Sequence, residues 1–115
     1  MHGFEYFVPT EIVFGAGSTE KLPELLKKVE LSSETAMRYP RETSGGECQR
    51  AAIARALAVQ PSLLICDEAT SALDAAVQAQ IVQLLKKLQR EEGLAMLWIG
   101  HDLALVRELC SRVIV

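Results

Sequence analysis

Asp67 and Glu68 stand side by side at the end of the apolar run Leu63-Leu64-Ile65-Cys66. Two carboxylates closing a buried strand lie at the carboxyl edge of a parallel sheet, where ligands bind. The same pair could simply open a solvated loop. Further on, His101 directly follows a second strand-like run ending Ile99-Gly100. A single histidine at a strand end is commonly structural, so its position relative to the acidic pair is what gives it interest. Upstream, Ser44-Gly45-Gly46-Glu47 opens a helix. A helix start presents unpaired backbone N–H groups and the positive end of the dipole, and glycines let a phosphate approach where a Cβ would block it. A plain capping box, with Ser44 as N-cap and Glu47 reaching back, accounts for these residues equally well. Between these groups lies Ser71-Ala72-Leu73-Asp74, in which Asp74 suits the N-cap of the next helix.

The elements that must position these groups are regular from Ser44 onward. The Ala-rich helix after Ser44 has to stop before Pro61. Leu63 to Cys66 reads as a strand covered on both faces, because it does not alternate. Asp74 starts a long helix whose Val77, Ile81, Leu84, Leu85 and Leu88 form one stripe, and Gly93 ends it. Ala95 to Ile99 is a second buried strand, Asp102 caps a helix reaching about Cys110, and Arg112 to Val115 begins a third strand. Strands alternating with helices predict an α/β fold, a parallel sheet flanked by helices. Residues 4–14 differ in texture. Phe4, Tyr6, Phe7 and Val8, then Ile12, Val13 and Phe14, predict two short strands joined at Pro9-Thr10, an N-terminal β-hairpin. A helix from about Thr19 follows, with Leu22, Leu25, Leu26 and Val29 on one side, and residues 30–43 read mostly as loop.

Composition narrows the function classes. The 115 residues are 50% hydrophobic with a formal charge of −3, so one core can form and nothing electrostatic points to nucleic acid or an anionic membrane as partner. Cys48, Cys66 and Cys110 show no CxxC spacing and fit buried free thiols in a reducing cytosol. The first residues lack the basic and apolar regions of a signal peptide. The apolar runs fall short of the roughly 20 residues a membrane-spanning helix needs. The expectation is a soluble, cytoplasmic chain.

Taken in order, these groups resemble the C-terminal half of an ABC-transporter ATPase over about residues 31–115. Thr43 to Glu47 with Gln49-Arg50 resembles the signature sequence, Leu63 to Glu68 the Walker B strand, Ser71 to Asp74 the D-loop, and His101 the switch histidine. Arg55-Ala56-Leu57-Ala58 and His101-Asp102-Leu103 add to the likeness. Arg38-Tyr39-Pro40-Arg41-Glu42 and Gln78-Ala79-Gln80 resemble the peptide and nickel importers within that family. The resemblance implies ATP and Mg²⁺ as cofactors. It implies that Asp67 holds Mg²⁺ through water, that Glu68 polarises the attacking water, and that His101 contacts the γ-phosphate. Ser44, Gly45, Gly46, Glu47 and Asp74 would then face nucleotide across a dimer. It further implies a second ATPase subunit or a second copy as partner, and a membrane permease on which the family docks at the inner membrane. Four positions depart from the usual pattern: Thr43 in place of Leu, Glu47 in place of Gln, Ala69 in place of Pro, and Gly100 in place of Thr or Ser.

No phosphate loop of the form GxxxxGK[ST] occurs in these 115 residues. The nearest approach starts at Gly15, but Glu20 stands at the second glycine and Leu22 at the hydroxyl. Residues 4–26 resemble instead the extreme N-terminus of iron-containing alcohol dehydrogenases, through Phe4, Pro9-Thr10, Ile12-Val13-Phe14-Gly15 and the Gly17-Ser18 helix start. That predicts a composite chain: residues 1–30 dehydrogenase-like, residues 31–115 the cassette half, not catalytic alone. Two readings stand beside it, an ATP-hydrolysing importer subunit completed by a partner chain, and a structural or interaction domain without nucleotide. Iron-dependent dehydrogenase chemistry is excluded, because His2 and His101 are the only histidines available as ligands.

Overall fold

The long central helix organises the fold. In the computed structural model, which describes residues 20–115, helix α1 spans Leu22–Lys28, α2 Gly45–Leu57, α3 Ala75–Glu92 and α4 Leu103–Leu109. The strands are β1, Leu63–Asp67, and β2, Ala95–Ile99. They pair in parallel from Leu63 opposite Ala95 to Asp67 opposite Ile99, with α3 as the crossover between them. Each boundary follows from local chemistry. Asp74 accepts a hydrogen bond from the Val77 N–H and starts α3, and Gly93 ends it with φ +63°, a left-handed conformation that a Cβ disfavours. The predicted stripe is the core: Ile81, Leu84, Leu85 and Leu88 are at most 2% exposed and pack with Ile53, Leu57, Leu64 and Cys66.

Helix α1 starts at Leu22, later than the Thr19 expected from periodicity, with Pro23 in its first turn where a missing N–H costs nothing. It ends in a left-handed residue that is not glycine. Glu30 has φ +58°, and its carboxylate is held by Arg50 at 3.0 Å and Lys87 at 3.4 Å. Arg50 also donates to the Val29 carbonyl, so one guanidinium ties α1 to α2. The stretch read as loop contains two short 3₁₀ turns, Thr35–Met37 and Pro40–Glu42.

Three expectations need correction. The strands are covered on one face only: Leu64 and Cys66 are buried, whereas Leu63, Ile65, Leu97 and Ile99 are 47–54% exposed. An unbroken apolar run shows that two faces can be buried, and among the described residues the core lies against one of them. No strand forms at Arg112–Val115, because no neighbouring strand pairs with it; Ile114 and Val115 stand fully in solvent. Of the three thiols only Cys66 is buried, with Cys110 intermediate and Cys48 exposed. The N-terminal hairpin lies outside the described residues, as do the first 19 residues of the dehydrogenase-like piece. Among the described residues no helix is long and apolar enough to cross a membrane.

Candidate functional site

The sequence separates Glu68 from His101 by 33 residues, and the parallel pairing of β1 with β2 brings them together. Since Asp67 sits opposite Ile99, the residues that follow each strand emerge at the same carboxyl edge. There the Nδ1 of His101 lies 2.9 Å from Glu68 Oε1. The backbone of Glu68 is fixed on both sides. Its N–H donates to the Ile99 carbonyl at 2.9 Å, and its carbonyl accepts from the Ser71 hydroxyl at 3.0 Å and the Ser71 N–H at 3.2 Å. Glu68 itself has φ +48°, a strained left-handed conformation for a residue with a Cβ, and these bonds hold it there.

The electrostatics follow from the contact. The hydrogen bond from His101 and then its charge hold the Glu68 carboxyl below its ordinary value. Reciprocally, Glu68 raises the imidazole of His101 above its ordinary value, with a smaller contribution from Asp102. Both side chains are open to solvent, and they border an open cleft of about 130 Å³ with Ser71, Gln78, Trp98 and Leu105 among its walls. Asp67 ends β1 beside Glu68 with an exposed side chain.

The Ser44 turn is a separate structure. Ser44 Oγ accepts from the Glu47 N–H at 3.2 Å while Glu47 Oε2 accepts from the Ser44 N–H at 2.8 Å, the predicted capping box. The Ser44 amide bond and a weaker Arg38 contact keep the Glu47 carboxyl ionised below its ordinary value. Gly46 is needed for packing against the start of α3. A Cβ at Gly46 would stand 2.7 Å from Val77 Cγ1, and one at Gly45 3.4 Å from Leu73 Cδ2. Thus Ser44, Gly45, Gly46 and Glu47 adjoin the loop that ends at Asp74, but none of them lines the cleft of Glu68 and His101. Asp74 is committed to capping α3.

Two contributors escaped sequence reasoning. The hydroxyl of Ser71 braces Glu68, and a serine three residues after the acid was the available signal. Trp98, the single tryptophan, walls the cleft; its place two residues ahead of a bare Gly100 was the clue.

A strand-end acid joined to a histidine at the next strand, with a glycine-rich capped helix nearby, is an arrangement with known counterparts. The family model for the ABC transporter matches residues 5–71, and the chain belongs to that family. Among its relatives are the oligopeptide transport ATP-binding protein OppF of Escherichia coli strain K12, 52% identical over 84% of this chain, and that of Bacillus subtilis strain 168, 52% identical over 82%. A probable peptide ABC transporter ATP-binding protein of Sinorhizobium fredii is 57% identical over 84%. The matched regions span between 27% and 31% of these proteins. Among solved structures, the dimeric post-hydrolysis state of the ATP-binding cassette MJ0796 bound to ADP and Pi superposes with a TM-score of 0.65 at 39% identity, covering 84% of this chain and 42% of that one.

Proposed function

We propose that this chain is the signature- and hydrolysis-side half of a peptide-importer ATP-binding subunit, carrying the water-orienting acid and the switch histidine but no phosphate loop of its own. The observation that carries the reading is the 2.9 Å contact of His101 with Glu68 at the carboxyl edge of the parallel strands. Glu68 orients the attacking water, and His101 holds that carboxylate ionised and in place. Ser44, Gly45 and Gly46 open a helix whose backbone N–H groups suit a terminal phosphate presented by another subunit. Asp74 holds the turn against which that helix packs. The relatives' names support transport of oligopeptides as the process served.

The donor set decides how ATP and Mg²⁺ fit. Asp67 and Glu68 supply hard carboxylate oxygens of the kind Mg²⁺ takes, but no group of three His, Cys, Asp or Glu side chains gathers among the described residues. Asp67 would hold the ion through water, the triphosphate supplying other oxygens. When bound, the ion would neutralise charge developing on the phosphates. The Glu47 carboxylate already occupies the Ser44 amide, so an anion entering that turn meets a negative charge. Full binding then requires a partner, either a second copy or an ABC ATPase subunit, at the cytoplasmic side of a permease.

The composite reading, a dehydrogenase-like stretch over residues 4–26 joined to the cassette half, is part of this proposal. The relatives match 94 to 96 of the 115 residues, so at most 21 fall outside those matches, and the family model begins at residue 5. The expected outcome for the isolated chain is ATP hydrolysis no faster than background, since the cradle that stabilises the transferred phosphoryl group is absent from its sequence. Hydrolysis by the chain alone that Glu68→Gln abolishes would overturn this and restore it as a self-sufficient ATPase.

A further inference from the structure

Successive side chains of a strand point to opposite faces. In β1 the covered set is Leu64 and Cys66 and the open set Leu63 and Ile65, while β2 adds Leu97 and Ile99 to the open side. The parallel register places Ile65 opposite Leu97, with Leu63 and Ile99 one step to either side. The four therefore form one continuous apolar patch, each of them about half exposed among the described residues. A parallel sheet is normally covered on both faces, and a contiguous apolar patch marks a surface that something occupies.

The sequence holds a segment of matching make-up. The described residues begin at Glu20, and all three phenylalanines of the chain, Phe4, Phe7 and Phe14, precede it. Positions 4, 6, 8, 12 and 14 are Phe, Tyr, Val, Ile and Phe, interrupted only by Thr10, while Glu5 and Glu11 fall on the alternate positions. An extended segment with that alternation carries one apolar side. The described core is aliphatic by contrast, with Trp98 at its margin. Each aromatic ring has about 150–250 Å² to bury. Nineteen extended residues reach about 60 Å, against the roughly 17 Å of a five-residue strand, so chain length does not keep the segment from the face. Tethering favours it over a second molecule. A segment joined to α1 meets the face at an effective concentration on the order of millimolar, far above that of another copy in dilute solution.

We propose that residues 4–14 of the same chain cover this open face, their alternate apolar side chains seated on Leu63, Ile65, Leu97 and Ile99. The segment supplies the second layer that the strand pair lacks and withholds the patch from other molecules. This covering is independent of the nucleotide chemistry at the Glu68–His101 edge, so either can fail without the other.

Because every phenylalanine lies in the first 14 residues, selective labelling of phenylalanine rings reports on this segment alone. In the full chain, NMR should show nuclear Overhauser contacts from those rings to the methyl groups of Ile65, Leu97 and Ile99. A soluble nitroxide should attenuate these methyls several-fold less than that of Ile114, which is 95% exposed. Phe4→Ser combined with Phe14→Ser should raise the attenuation at Ile65 and Ile99 toward that of Ile114, while Ile81 and Leu85 in the core stay shielded. If Ile81 and Leu85 also lose their shielding, the variant has unfolded and the ring contacts of the unaltered chain decide. Three results overturn the proposal: ring contacts directed elsewhere with the face open to the nitroxide, contacts found only between differently labelled molecules in a mixed sample, or a face that stays shielded in the folded double variant. The second of these would make the occupant another copy of the chain.

Discussion

The Ser44 turn and the Glu68–His101 edge are held in opposite ways. At the first, everything is local or packed: a reciprocal cap over three residues, and two glycines seated on Leu73, ahead of α3, and Val77, within it. At the second, Glu68 and His101 follow strands separated by a long helix and meet through one exposed contact. The first is part of the folded body and shares its stability. The second is an adjustable junction whose geometry depends on strand register and on the charge of its two members.

The comparison breaks most completely when the shared support goes. Leu85 is 1% exposed at the centre of the cluster that joins α3 to both strands. Leu85→Ala should cost about 2–5 kcal/mol, and a denaturant melt should show both sites lost in one transition. Loss of the Ser44 turn while the strand pair persists would contradict a common core. A smaller change separates the two. Gly46→Ala forces a Cβ into Val77 and should cost about 1–3 kcal/mol, while Gly45→Ala, at ordinary contact distance, should fall within roughly 0.5 kcal/mol. Recovery of the Gly46→Ala loss by Val77→Ala would show the collision to be the cause, and the titration of His101 should be unmoved throughout.

The smallest effect on stability, and the sharpest on chemistry, is expected at the other site. Glu68→Gln should lower the melt only slightly and bring the His101 titration down toward its ordinary value, because the carboxylate is the first cause of its raised one and Asp102 a smaller one. The sign for the unaltered chain follows. The contribution of Glu68, whose folded value is depressed, is present above its unfolded value and fades as pH falls through the folded one. That of His101, whose folded value is raised, is complete below its unfolded value and fades as pH rises through the folded one. The pair is therefore fully charged only between the two depressed and raised values, and the NMR signals of both residues should change together at each limit.

Local chemistry was legible from residue types. The Ser44 box, the Asp74 and Asp102 caps, the Gly93 stop and the Ile81 to Leu88 stripe all depend on neighbours within four residues, and all are observed. The contact of Glu68 with His101 was not legible, since spacing alone cannot say which strands adjoin. Most of what stayed hidden depended on distant surroundings. Leu63 and Ile65 carry the side chains of a doubly covered strand, and only the packed structure shows that one face is open. Arg112 to Val115 has strand-forming residues without a partner. Glu30 adopts a glycine-like conformation where the Leu31 N–H donates to the Leu26 carbonyl and closes α1, with no glycine in the sequence to signal it.

Cys66 lies in β1 on the covered face, one residue before the acidic pair, and burial pushes its thiol up to about 11. Nucleophilic sulfur is the thiolate, so at neutral pH this one is both shielded and almost wholly protonated. Cys48, in the first turns of α2, is exposed. The chain thus carries two clocks in one covalent sequence. Alkylation at Cys48 records time in solution, while alkylation at Cys66 records the moments when the strand behind the acidic pair opens, independently of nucleotide, partner or transport.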